Sequence, residues 1–184
     1  MLKVGDKAPE FTLQNQDENS VSLSDYKNKK VVLWFYPKAS TPGWTVEGKG
    51  FRDEFQKFEE KNIQIIGCSA DSPKKQKKFC DKQKFQYPML CDENHEMLKA
   101  YGVWGKKKFM GREYMGISRI TIIIDEKGVI ERIYDKVSVK SHAQDILNDL
   151  KNWIKLKKEP VFPELFQRLF LMKSFPAPWY PDHE

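Results

Sequence analysis

Apolar and polar positions follow two rhythms along this chain. Val31-Val32-Leu33-Trp34-Phe35-Tyr36 is a short continuous apolar run, β-branched and aromatic at several positions and closed by Pro37. It is predicted as a buried strand. Ile63 to Ala70 and Arg119 to Asp125 read the same way. Helical spacing appears elsewhere. Phe51, Phe55 and Phe58 mark a helix from about Thr45 to Glu60, with acids and lysines between them. A second helix runs to about Lys84, with Ser72 as N-cap and Pro73 at its first position. His95 to Tyr101 is helical through Met97, Leu98 and Tyr101 and is closed by Gly102. His142 to Leu156 presents Ile146, Leu147, Leu150, Trp153 and Ile154 on one side.

Shorter patterns fill the gaps. Phe11 with Leu13, and Val21 with Leu23, alternate around the polar stretch Asn15 to Asn19, predicting a small N-terminal β-hairpin. Ser24-Asp25-Tyr26 begins a helical turn. Phe85 to Leu90 leads to a short strand before the turn Cys91 to Asn94. Gly105 to Glu113 is read as a basic loop, and Glu126-Lys127-Gly128 as a hairpin turn before a strand from Val129 to Tyr134. This alternation predicts an α/β sheet with helices on both faces.

The length of 184 residues suits one domain with a substantial core, and 12 Phe, 7 Tyr and 5 Trp supply large side chains to fill it. No run approaches a membrane span, and the first residues have no apolar signal core, so a soluble cytoplasmic protein is expected. Cys68, Cys80 and Cys91 lack CxxC spacing and do not cluster with the three His, so neither a disulfide framework nor a metal site is expected. The net charge of +6 invites a nucleic-acid reading. However, the lysines from Lys74 to Lys84 fall on one face of a predicted helix whose other face carries Phe79 and Cys80. A solvated helix face accounts for them, and no nucleic-acid module accompanies the charge.

The stretch Pro37-Lys38-Ala39-Ser40-Thr41-Pro42-Gly43-Trp44-Thr45-Val46-Glu47, followed by Phe51-Arg52-Asp53, carries the most specific pattern. It joins a predicted strand to the start of a helix, where backbone N–H groups and the helix dipole favour an anion. It resembles the active-site loop of peroxiredoxins of the bacterioferritin comigratory protein, or peroxiredoxin Q, subgroup. That family has Pro-x-x-x-Thr-x-x-Cys, then Thr-x-Glu and Phe-Arg-Asp. Val4-Gly5-Asp6-Lys7-Ala8-Pro9-Glu10-Phe11, Tyr101-Gly102-Val103-Trp104 and Tyr114 to Arg119 resemble further family stretches. The resemblance spans roughly residues 3 to 156 and implies a thioredoxin-like α/β fold with a central mixed sheet. Residues 1–156 are therefore expected to form the domain. Residues 157–184 are expected to be an extension, with a short helix from Pro163 and a Pro- and aromatic-rich tail that packs on the domain, covers a partner or stays loosely ordered.

The resemblance implies reduction of hydrogen peroxide and organic hydroperoxides by a thiolate, with thioredoxin or a similar dithiol protein as reductant. It implies no cofactor, and a monomer or weak homodimer. Trp44 stands where the family has its attacking cysteine. By the same resemblance Thr41 supplies a hydroxyl contact, Pro37 shields the pocket and Arg119 supplies a guanidinium; an ordinary ion pair between Arg119 and Glu47 is the plainer alternative. An indole cannot ionise as a thiol or pass through a sulfenic acid, so the chain as written is expected to be inactive by this mechanism. Trp44 is either an engineered replacement or the mark of a natural non-catalytic binding protein, and the intact surroundings favour the first. One family arrangement puts the recycling cysteine where Lys49 stands, which excludes it. Another puts it on the next helix, close to the place of Cys80, whose alternative role is core packing. Cys68 and Cys91 are read as structural.

Overall fold

The computed structural model describes residues 2–40 and 42–158. Thr41 and the tail, including the helix expected from Pro163, lie outside the described residues, as do the side chains of Trp153 and Ile154. Two compact units divide the chain, Met1–Leu147 and Asn148–Glu184.

In chain order, β1 (Thr12–Gln14) and β2 (Ser20–Ser22) form the antiparallel N-terminal hairpin, followed by a 3-10 turn at Leu23–Tyr26. Then come β3 (Lys30–Phe35), α1 (Pro42–Asp53), α2 (Phe55–Glu59), β4 (Ile63–Ser69), α3 (Pro73–Gln83), β5 (Met89–Cys91) and α4 (Glu96–Ala100). The chain continues through β6 (Trp104–Phe109), β7 (Arg112–Ile117), β8 (Ile120–Ile124), β9 (Ile130–Tyr134) and α5 (His142–Lys158). The central sheet has the order β5-β4-β3-β8-β9. Its β3–β4 and β4–β5 pairs are parallel, and its β3–β8 and β8–β9 pairs antiparallel. It is the mixed sheet that was expected.

The continuous apolar run of β3 follows from burial on both faces. Val31, Leu33 and Phe35 join Ile66, Cys68, Leu90 and Ile122 in a core with Phe11, Val21, Met97, Leu98 and Tyr101. On the opposite face Trp34 lies against Phe51 of α1, and Tyr36 against Phe79 of α3. Gly67 of β4 leaves room for Met89: a Cβ there would come within 2.4 Å of the Met89 sulfur and 3.0 Å of Trp34 Nε1, so the Met89 side chain would have to move.

Two elements depart from expectation. The single helix expected over Thr45 to Glu60 begins earlier, at Pro42, and is interrupted at Glu54, whose φ of −96° and ψ of 3° leave helical geometry. The bonds Glu54 N–H to Gly50 O and Phe58 N–H to Glu54 O still cross the break, so Phe51 and Phe58 are both fully buried. Gly105 to Glu113, read as a loop, is largely the β6–β7 ribbon, paired from Trp104↔Ile117 to Phe109↔Arg112. Lys106, Lys108, Glu113, Tyr114 and Met115 are exposed, so no apolar alternation marked these strands. The reversal at Met110-Gly111, with φ of 48° and 78°, is a two-residue turn of the kind that suits a hairpin.

Candidate active site

The sheet register assembles the site. Phe35 at the end of β3 pairs with Ile120 at the start of β8, so Arg119 emerges beside the β3–α1 connection. Phe35 also pairs with Cys68 of β4, which brings Ser69 and Asp71 to the same edge. In α/β sheets, the carboxyl ends of the parallel strands, facing helix N-termini, are where ligands bind.

Position 44 lies in the first turn of α1, and its indole is 9% exposed. The Arg119 guanidinium carbon stands 3.7 Å from the centroid of that ring, a cation–π contact. The bulky indole is seated in the interior, and α1 is helical from Pro42. Gly43 permits the approach: a Cβ on it would lie 3.2 Å from Arg119 Nη2. Trp44, Glu47, Gly48 and Phe51 form the buried stripe of α1 at spacings of three and four residues, which places a carboxylate in an apolar face.

Glu47 is 1% exposed, and neither carboxylate oxygen has a hydrogen-bond partner. Arg119 Nε lies 3.8 Å from its Oε2, and His142 Nε2 lies 3.9 Å from its Oε1. Burial raises the Glu47 carboxyl from 4.5 to about 7, with Arg119 pulling the other way. Burial lowers His142 to about 4, so the imidazole is neutral near pH 7 and forms no charge pair with Glu47. It shares a 2.8 Å hydrogen bond with Thr121 Oγ1, which is fully buried in β8.

A second polar group stands beside this cluster. Tyr36 Oη donates to Gln76 Oε1, and Gln76 Nε2 donates to Ser69 Oγ at 3.1 Å and to Leu90 O at 3.0 Å. Ser69 Oγ donates to Asp71 Oδ2 at 3.0 Å, and the same oxygen accepts the Ala39 N–H at 2.7 Å. The network therefore grips the loop that carries Pro37, which is half-buried.

The structure thus brings Trp44, Arg119 and Glu47 together, with Pro37 on the adjoining loop; Thr41 lies outside the described residues. Arg119 does meet Glu47, as the ion-pair alternative required, but it also covers residue 44. Cys80 has other surroundings. It is buried in α3, and its thiol is pushed up to about 12, mainly by burial and then by Asp17 and Asp81. Burial likewise raises Cys91 to about 12 and lifts Cys68 well above the usual thiol range. No thiol among the described residues is poised to ionise near neutral pH. Sequence reasoning missed Thr121, His142, Ser69, Asp71 and Gln76. Only Thr121 carried a signal, as a polar residue inside the apolar run of β8.

The AhpC/TSA family matches residues 4–133 of the chain. The chain belongs to that family. A putative peroxiredoxin Bcp of Haemophilus influenzae is 45% identical over 151 residues, 82% of this chain and 97% of its own. The peroxiredoxin Bcp of Escherichia coli is 41% identical over 150 residues, 82% and 96% of the two chains. A crystallised mutant of Xylella fastidiosa PrxQ superposes with a TM-score of 0.79 at 34% identity, covering 84% and 98%. The Xanthomonas campestris bacterioferritin comigratory protein, studied for alkyl peroxide reduction, gives 0.73 at 32%, covering 77% and 90%. These bear out the thioredoxin-like fold and the peroxiredoxin resemblance. The family activity is thiol-dependent peroxide reduction, with peroxide as substrate and a thioredoxin-type reductant. Among the described residues no helix is long and apolar enough to cross a membrane.

Proposed function

We propose that position 44 is the peroxide-attacking position of this peroxiredoxin, with Pro37, Thr41 and Arg119 as the groups that shield, contact and polarise the peroxide. The observation that carries this reading is the Arg119 guanidinium standing over residue 44 at the N-terminus of α1. A helix N-terminus and a guanidinium both stabilise an anion there, and both polarise an O–O bond as it breaks. With tryptophan at 44 the chain does not reduce peroxides by this route. With cysteine it reduces hydrogen peroxide and organic hydroperoxides in the cytoplasm, as a monomer or weak homodimer, with a thioredoxin-type protein restoring it. Neither nucleic acid nor membrane takes part.

Cys80 is the recycling residue in this reading. The Xanthomonas campestris peroxiredoxin Q was also solved as two serine-for-cysteine mutants, whose positions are separated by as many residues as Trp44 and Cys80. Cys80 is buried in α3, so a bridge to position 44 requires local unravelling of helix ends. The experiment compares the chain with its Trp44→Cys variant in a thioredoxin-coupled peroxidase assay. Activity in the variant alone is expected; equal turnover in both overturns the assignment. In the variant, peroxide should give a bridge between positions 44 and 80 by non-reducing peptide mapping, and Cys80→Ser should let sulfinic acid accumulate. A bridge through Cys68 or Cys91 refutes the role of Cys80.

One observation favours a second reading. The indole is buried and stacks on Arg119, as in a non-catalytic binding protein whose site has been plugged. Failure of Trp44→Cys to gain activity would favour it.

A further inference from the structure

Exposed apolar side chains gather on the β6–β7 ribbon. Met110 at its tip is 88% exposed, Tyr114 53% and Met115 49%. Among the described residues, only Val4 and Val46 are other large apolar side chains as open to water. Cations accompany them. Lys106, Lys108 and Arg112 are exposed and form no ion pair with a described residue. On α3, by contrast, Lys77 bridges Asp17 and Asp81. The ribbon has one acid of its own, Glu113, opposite Lys108.

The register separates two faces. Lys106 pairs with Met115 and Lys108 with Glu113, so these four side chains share one face, with Trp104 at its foot. The other face closes on itself. Lys107 donates to Ser118 Oγ, and the Tyr114 ring lies over Gly116, where a Cβ would come within 2.9 Å of it. Lysines by themselves would be edge protection, since each strand of the ribbon pairs only with the other and charge keeps open edges from aggregating. Edge protection does not call for methionine in the same place. Methionine with arginine and tyrosine is the mixture found where one protein covers another. Trp104 is stacked on His95, ring centroids 3.9 Å apart, and Glu113 stands within the face. Both features suit a protein surface better than the bases and phosphates of a nucleic acid.

The ribbon also leads into the site. β7 ends at Ile117, Ser118 N–H donates to Val103 O at the ribbon's foot, and Arg119 follows. Met115 is four residues from Arg119, a span of at most about 14 Å. A domain of about 100 residues has a radius of gyration of about 13 Å. A small dithiol protein seated on Met115 therefore comes within reach of position 44. We propose that the face carrying Lys106, Lys108 and Met115 docks the dithiol reductant, through an acidic patch with an apolar centre beside the reductant's own thiols. This rests on position 44 being the peroxide-attacking one, because the reductant must reach what forms there. The cations steer the encounter and set its orientation, and Met115 supplies an adaptable apolar contact.

The test uses the full-length Trp44→Cys chain with a bacterial thioredoxin and its reductase. Lys106→Glu combined with Lys108→Glu should lower kcat/KM for thioredoxin, taken relative to turnover with dithiothreitol, by about tenfold. It should also remove the fall of that value with added salt. Lys29→Glu combined with Lys127→Glu makes the same change in net charge at the opposite end of β3 and β8, and should leave the ratio unchanged. An unchanged ratio in the ribbon variant, or an equal drop in both variants, overturns the proposal. An inert Trp44→Cys refutes the site assignment instead. Docking is then read on the chain as it stands, from amide shifts during titration with thioredoxin. Shifts along residues 104–117 that the ribbon variant abolishes are expected. Shifts confined to other regions overturn the docking face, as do shifts with a single-stranded oligonucleotide and none with thioredoxin.

Discussion

Two polar groups flank the same edge of the central sheet, and they are built oppositely. In the network of Tyr36, Gln76, Ser69 and Asp71, donors and acceptors meet partners, down to the Ala39 N–H. In the cluster of Trp44, Arg119, Glu47 and His142, a buried acid has no hydrogen bond, and its nearest cationic and imidazole nitrogens stand 3.8 and 3.9 Å away. Both are buried and both lie at the β3–α1 junction, so location does not explain the difference. A satisfied network fixes a conformation, here that of the loop after β3. An unsatisfied buried acid beside an arginine destabilises the fold, and such groups gather where a reacting species is to be stabilised. On the proposed reading the first group is scaffold and the second is site.

That division is open to attack. The largest effect should come from Arg119. In a Trp44→Cys background, Arg119→Ala should slow the reaction with hydrogen peroxide about 10²- to 10³-fold, the usual loss for one transition-state donor. Stopped-flow rates within a factor of about three of the parent would make the cluster structural, like its neighbour.

Glu47→Gln comes next, read as stability against pH in urea titrations. The folded-state Glu47 sits at about 7 against an ordinary 4.5. Its contribution is therefore full below pH 4.5 and is lost as pH rises through 7. His142, held at about 4, acts in the opposite sense: its contribution is full above about 6.5 and lost as pH falls. The Gln variant keeps only the histidine slope, so it should gain on the parent as pH rises from 4.5 to 8, by up to about 3 kcal/mol. Parallel stability curves would show that Glu47 is not a strained acid.

Gln76→Ala, on the scaffold side, strands the Tyr36 hydroxyl and the Leu90 carbonyl and should cost about 2 kcal/mol at every pH. A pH-dependent cost would mean that the two groups are one. The smallest effect belongs to Lys77, which bridges Asp17 and Asp81 on the exposed face of α3. Lys77→Ala should leave the thermal midpoint unchanged in physiological salt, since exposed pairs contribute little. A clear drop would give the lysine-rich face a structural role beyond solvation.

The sequence by itself determined what depends on local pattern. The buried runs of β3, β4 and β8, the proline-opened α3 and the helix ended by Gly102 were legible because apolar period, caps and breakers act within a few residues. The loop motif was legible because its residues adjoin one another, and it marked Trp44 as the anomaly. The β6–β7 ribbon was not, because exposed strands carry no apolar alternation. Tertiary structure alone decided the rest. Strand register put Arg119, far along the chain, over residue 44. The first residue of α5, His142, met Thr121 of β8, and α3 carried Gln76 to the Tyr36 hydroxyl. Burial, a property of the assembled chain, moved Glu47 and His142 so far from their ordinary values. Residues that look ordinary in the sequence became a site because desolvation and long-range register exist only once the sheet has formed.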